Sequence, residues 1–459
     1  MTELNPLDSG FMELEDTDRH VSVGIGAVAI VAGPPPRRAE FTAGLAKRLT
    51  MDARLRQKVR TTLWDLTAPV WVNDPNFDLA HHLRWMALPE PGDEPTLCEL
   101  IAEVMEERLD RDHPLWQCVV VERLAGDRWA MIVKAHHSMV DGVSGISLFE
   151  RLCDPRSDHK TVPRAAPAAS SFDWRALAVN MLRLPVDAPR IVAQTVRAAA
   201  PLALSTVRPA PVSSLNGPIG RQHRYAVART SLSTVQEIGA VFGATVNDVA
   251  LAAVTSAFRS ILLRRGEEPT ADKVRILAPV SVRASHAKYL LDNRISLMLP
   301  VLPVDIGDPV GQLATVHERM SRHKARGEAS AASAILTLAD WLPFAPIAWT
   351  FRLVSRFPQH GIAALATNVP GPRRRLYLYG REVLEILAYV PIAMRLRTGI
   401  AILSYSDQLT FGITGDFDTT PDIAVLAESV EQAIDRLLDH AQATRDADQG
   451  SRRISDSPR

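Results

Sequence analysis

The stretch WAMIVKAHHSMVDGVSGISLFERL, residues 129–152, decides how the rest of the chain is read. Trp129 to Ala135 reads as a strand and Val143 to Leu152 as a helix, so the segment is a strand, a short turn and a helix. The turn holds His136-His137-Ser138-Met139-Val140-Asp141-Gly142, of the form HHxxxDG. Alternation along the strand groups Trp129, Met131, Val133 and Ala135 with His137, and Lys134 with His136. An imidazole in an apolar, water-poor space stays neutral near pH 7, because desolvation disfavours its cation. A neutral imidazole accepts a proton, as a general base must. His137 is therefore the candidate base. His136, Asp141 and Gly142 are candidate supports. Asp141 holds the loop either through backbone N–H groups or by pairing with an arginine such as Arg283 or Arg294. Gly142 permits a backbone conformation that a β-carbon would hinder, and the run Gly142-Val143-Ser144-Gly145 lets another chain segment or a ligand approach closely. A second pair, His81-His82, lacks the acid and glycine of the first and is expected to have a structural or surface role.

Outward from this turn, strands and helices alternate. His20 to Val31, Trp116 to Val121, Arg224 to Ala228, Val274 to Val282 and Arg294 to Leu302 read as strands. Ala401 to Asp407 and Leu409 to Gly415 form a hairpin-like pair. Arg37 to Leu49, Leu100 to Leu109, Thr234 to Ala240, Val249 to Leu263, Val310 to Lys324 and Pro421 to His440 read as helices. The class is α/β (α+β). Four parts are expected: an N-terminal lobe over 1–153, a Pro/Ala/Arg-rich connection with helical parts over 154–218, a C-terminal lobe over 219–440, and a disordered tail over 441–459. The connection is a linker or, on its basic residues, an interfacial membrane helix. Ile335 to Phe351 is a core or lobe-interface helix or, with Trp341, Phe344, Trp349 and Phe351, a segment that lines an apolar channel or touches lipid.

Lys plus Arg and Asp plus Glu both number 52 in 459 residues, so no global field favours nucleic acid. The three cysteines, Cys98, Cys118 and Cys153, have no metal-ligand spacing and suit a reducing compartment. The N-terminus lacks a secretory h-region, and no uncharged apolar run reaches spanning length. A cytoplasmic protein is expected, with peripheral contact to the inner membrane face as an option. GxSxG, HExxH, EF-hand and P-loop patterns are absent from the sequence. The chemistry expected is direct attack, with no metal and no cofactor.

Further short motifs share the chain with the central one: Leu4-Asn5-Pro6-Leu7-Asp8 with Phe11, Pro114-Leu115-Trp116, Asn247-Asp248, Pro279-Val280-Ser281-Val282-Arg283, Asn293-Arg294-Ile295-Ser296, and Asn368-Val369-Pro370-Gly371-Pro372. In this order and separation they resemble the bacterial wax ester synthase/acyl-CoA:diacylglycerol acyltransferases, especially the actinobacterial members, from about Leu4 to Leu438. HHxxxDG also occurs in peptide-synthetase condensation domains; PLW and NVPGP favour the lipid branch. The resemblance implies two similar chloramphenicol-acetyltransferase-like lobes with the site in a tunnel between them. It implies His137 as general base, acyl-CoA as a substrate rather than a cofactor, and diacylglycerol or a long-chain alcohol as acceptor. Contact with a membrane or lipid-droplet surface is a further expectation. Asn247 either shapes the site or caps the adjoining helix. Asn368 to Pro372 is a rigid turn that could border the tunnel. Wax ester synthesis, condensation from a carrier-bound donor, and a non-catalytic lipid-binding paralogue are the competing readings.

Overall fold

The computed structural model describes residues 2–50, 52–61, 68–155, 213–281, 295–325 and 361–455. The first part runs β1 (Thr2–Glu3), α1 (Pro6–Thr17), β2 (Gly24–Ala32), α2 (Arg38–Leu49), β3 (Gln57–Arg60), β4 (Val70–Asn73) and β5 (Leu83–Ala87). It continues through α3 (Glu94–Glu106), β6 (Trp116–Leu124), β7 (Arg128–His136) and α4 (Gly142–Leu152). The second part runs β8 (His223–Ser231), α5 (Leu232–Phe242), α6 (Val246–Arg264), β9 (Val274–Ser281), β10 (Ile295–Met298), β11 (Val301–Leu302) and α7 (Pro309–Ala325). Then come β12 (Ala364–Val369), β13 (Tyr377–Leu378), β14 (Arg381–Tyr389), β15 (Thr398–Tyr405), β16 (Gln408–Asp416) and α8 (Ile423–Ser455).

Two mixed sheets organise most of these elements, and β1-β4-β3 form a third, small antiparallel one. The first has the order β13-β14-β2-β7-β6-β5 and the second β10-β9-β12-β15-β16-β8, with β11 also on β9. The β6–β7 hairpin closes through Gly126 (φ 79) and Asp127 (φ 49), residue types that tolerate the left-handed region. Trp129 and Met131 of β7 pack with Phe41 and Phe149 on one face of the first sheet. Ala130 and Ile132 pack with Ile101 and Met105 of α3 on the other. Helix α6 is long and apolar enough to cross a membrane by length and composition. Its buried residues, Val249 to Leu262, instead form the centre of the second lobe's core with α8 and β16.

Two boundaries differ from expectation. Sheet membership does not follow the 219–440 division, because β14 leaves the second sheet and pairs with β2, Val383 opposite Val31 and Tyr389 opposite Gly26. Gly412 of β16 allows the two sheets to abut: a β-carbon there would lie 1.9 Å from the Ala388 carbonyl oxygen. The tail is the second correction, since α8 continues through 441–455. Its Ala, Gln and Arg residues favour helix without needing a core, and Arg445 pairs with Glu237 of α5. Low hydrophobicity goes with the exposure of residues 442–447, not with absence of helix. The 154–218 connection lies mostly, and Ile335 to Phe351 wholly, outside the described residues.

Candidate active site

Strand β7 ends at His136 because its partner β2 begins opposite it, at Gly24. His137 therefore sits in the turn rather than on the strand face expected for it. Its N–H donates to the Val23 carbonyl at 3.2 Å, and Met139 N–H donates to the His136 carbonyl at 2.8 Å. Asp141 then caps α4. Its Oδ1 accepts from Ser144 N at 2.7 Å and from Ser144 Oγ at 2.8 Å, while Asp141 N donates back to Ser144 Oγ at 2.9 Å. This capping box binds the backbone N–H groups that a helix start leaves without partners. Of the two roles considered for Asp141, this is the one observed; Arg283 and Arg294 lie outside the described residues.

The two imidazoles have different surroundings. His136 is the deeper, 1% exposed. Its Nδ1 accepts from Ser138 N at 3.1 Å and lies 2.7 Å from Ser138 Oγ. A backbone N–H only donates, so this contact assigns the lone pair to Nδ1 and the ring proton to Nε2, while the Ser138 hydroxyl serves either tautomer. Nε2 faces Glu15 Oε2 at 3.7 Å, beyond hydrogen-bond range. Glu15 also holds Arg111 at 3.0 Å and accepts from Val23 N at 3.3 Å. Burial pushes the Glu15 carboxyl up, but His136 and Arg111 outweigh it and bring it down to about 2.

His137 is partly exposed. Phe11 of α1 stacks on its ring, centroids 4.0 Å apart and planes within 14°. Desolvation lowers its pKa to about 4, and the charge of Asp141 only partly opposes this. The ring is thus neutral at pH 7. Lys134, two residues before His136, is buried against the end of α3, where its Nζ donates to the Val104 carbonyl at 2.8 Å and to that of Glu107. Burial, only partly offset by Glu107 and Glu15, lowers it to about 8.

The second lobe brings its own motifs to this turn. A β-carbon on Gly142 would lie 2.7 Å from Val369 Cγ2, so the HHxxxDG glycine is what lets α4 approach β12. Next to Val369, Asn368 Nδ2 donates to Asn247 Oδ1 at 3.1 Å. Asn247 is not the helix cap. Thr245 caps α6 by accepting from Asp248 N at 3.3 Å, and Asp248 returns the box through Thr245 N at 3.0 Å. Asp248 Oδ2 also bonds His317 Nδ1 at 2.8 Å. Gly371 closes the NVPGP turn against the Ser404 carbonyl, which a β-carbon would meet at 2.0 Å. Three motifs far apart in the chain thus meet where the lobes touch. A cavity of about 410 Å³ lies nearby, among Arg19, Glu106, Arg108 and Arg221, and His137 does not line it. Among the described residues no cluster of three His, Cys, Asp or Glu side chains is arranged to hold a metal.

Reading the sequence missed Phe11, Glu15, Arg111 and Ser138 as parts of this site. Phe11 and Glu15 are four apart on α1 and share a face. Asn5 as cap and Pro6 at the first position start that helix, with Asp8 N donating to Asn5 Oδ1 at 2.7 Å. The i, i+4 spacing was the local signal for Glu15, hidden within an acidic run, while Phe11 stood in the opening motif and Ser138 inside HHxxxDG without a site role.

Comparison with known proteins agrees with this architecture. The wax ester synthase/diacylglycerol acyltransferase catalytic domain matches residues 4–250, and the C-terminal domain of the same family matches 291–438. A probable diacylglycerol O-acyltransferase of Mycobacterium tuberculosis is 44% identical over 95% of this chain and 96% of its own length. A wax ester synthase/diacylglycerol acyltransferase from Marinobacter aquaeolei superposes with a TM-score of 0.68 at 25% identity, covering 96% of this chain and all of its own. The first condensation domain of the calcium-dependent antibiotic synthetase shares the fold, with a TM-score of 0.61 at 17% identity over 96% of each chain. The chain belongs to the wax ester synthase/diacylglycerol acyltransferase family, a family of O-acyltransferases.

Proposed function

We propose that this protein transfers a long-chain acyl group from acyl-CoA to the hydroxyl of diacylglycerol, forming triacylglycerol, with His137 as general base. The observation that carries the proposal is the meeting of His137's turn with the Asn247 and Val369 motifs at the lobe junction, through Gly142. There a neutral imidazole takes the acceptor's O–H proton. The freed oxygen attacks the thioester carbonyl carbon, and the oxyanion collapses with cleavage of the C–S bond. The departing thiolate takes the proton back from the imidazolium. The thioester is already activated, so positioning two substrates and moving one proton is the main work. Access for both substrates between the lobes, and a cytoplasmic location peripheral to a membrane or lipid-droplet surface, belong to the same proposal. The naming of the 44% identical relative favours diacylglycerol over a long-chain alcohol.

The test supplies purified protein with labelled palmitoyl-CoA and diacylglycerol, hexadecanol or no acceptor, and separates the products. Labelled triacylglycerol is expected. Labelled wax ester alone moves the acceptor to an alcohol. No labelled neutral lipid with either acceptor overturns the proposal, and turnover only from a carrier-bound donor replaces it with condensation chemistry.

A further inference from the structure

Helix α1 touches both imidazoles of the turn, Phe11 on His137 and Glu15 on His136. We propose that Glu15 is a positioning residue: its carboxylate keeps the His136 proton on Nε2, and His136 in that form holds the turn that aims His137. The geometry carries this in three steps. First, Glu15 is 2% exposed and is the acid facing Nε2. Arg111 and Val23 N hold it on its other sides, so swinging away would break an ion pair and leave the Val23 amide without its acceptor. Second, with the proton on Nε2, Nδ1 is free to accept from Ser138 N, a bond that spans His137. Third, the opposite tautomer or the imidazolium would set an N–H at Nδ1 against the Ser138 N–H and turn the ring from that amide toward the Ser138 hydroxyl as its acceptor. The turn would then open, and His137 would lose its direction beneath Phe11.

Glu15→Gln is the isosteric probe. An amide has one acceptor oxygen, so its NH₂ must face His136, Arg111 or Val23 N, all donors here. The kinetic arm rests on the acyl-transfer reading above; the tautomer arm does not. In full-length protein labelled with ¹⁵N-histidine, two-bond couplings distinguish the tautomers, and the His136 signal is assigned by its loss in His136→Asn. The Nε2–H form is expected near neutral pH in the wild type, with a second form appearing in Glu15→Gln. An Nδ1–H tautomer or an imidazolium in the wild type overturns the proposal, and needs no variant to fold. In turnover, Glu15→Gln should lower kcat roughly 10–100-fold with KM little changed, as a displaced base does. Placed on His136→Asn, the same substitution should add no further loss, because Glu15 acts through that ring. Wild-type kcat in Glu15→Gln, or losses that multiply in the double variant, overturns it. If the protein turns over no acyl-CoA, the functional reading falls, while the couplings still decide the tautomer.

Discussion

The chain carries two adjacent histidine pairs, and both lean on the same support. His82 is 2% exposed, stacks on Trp116 at 4.4 Å and donates from Nδ1 to the Trp116 carbonyl at 2.8 Å. His136 is as deep, and its N–H donates to the Leu115 carbonyl at 2.9 Å. One member of each pair is thus a strut against Pro114-Leu115-Trp116. The assigned tautomers are opposite, because a carbonyl demands a proton at His82 Nδ1 whereas a donor, the Ser138 amide, faces His136 Nδ1. The other members diverge. His81 is exposed and lies against the ring of His113 at a tilt of 37°, while His137 sits beneath Phe11 where the lobes meet. A dipeptide of histidines is therefore two different devices, and the residues just after each pair determine its role. The capping acid and the small residue after His137 turn the chain into a helix that the second lobe can reach.

The sharpest way to break this contrast is His137→Ala against His81→Ala. The first should lower kcat by roughly 10²–10⁴-fold, the usual worth of a general base, and the second should leave it within about twofold. Equal effects would erase the distinction between the pairs. The pH profile extends it. A base with its pKa lowered to about 4 stays neutral from pH 8 to 5, so kcat/KM should be flat there and fall to half near pH 4. An acid limb near pH 6.5 would place the ring in water instead. Stability carries the same sign. His82 and His137 both have folded values below 6.5, so the unfolded chain binds protons that the folded one refuses, and stability falls as pH drops from about 6.5 toward 4.

The struts should behave alike in urea and differently in turnover. His82→Ala and His136→Ala should each cost about 1–3 kcal/mol, because each leaves buried polar partners unmatched. Only His136→Ala should lower kcat in the refolded enzyme at saturating substrate. The smallest expected effect is at the lobe contact. Gly142→Ala should reduce kcat several-fold, roughly a 1 kcal/mol change, and Val369→Ala should restore it by withdrawing the methyl the new β-carbon meets. Loss without rescue would place the cost of Gly142→Ala in the backbone rather than in the contact.

Local signals were the legible ones. The strand–turn–helix around His137, the β15–β16 hairpin and the long apolar α6 all arise from period and turn residues within a short window. Asp141 was legible as an acid that organises the loop, and its cap now has stated partners. The parts that escaped depend on distant or unusual burial. Glu15 lies in GFMELEDTD, where acids suggest a solvated face, yet it is buried because Arg111 and His136 arrive from elsewhere in the chain. The placement of β14 was equally invisible, since its partner β2 lies some 350 residues earlier and no local pattern names a partner at that range. The NVPGP segment read as a turn, and its first two residues prove to be the end of a strand whose side chains meet Asn247 and Gly142.

The borrowed strand β14 also orders events at the ribosome. Until residue 389 has emerged, β2 has one bare edge, and the ladder that ends at His136 is incomplete on that flank. A nascent chain or a gene fragment ending before Arg381 would expose that edge to other chains. The two lobes therefore cannot be cut apart into separately expressed modules, and the reactive turn is finished only when most of the protein has been made.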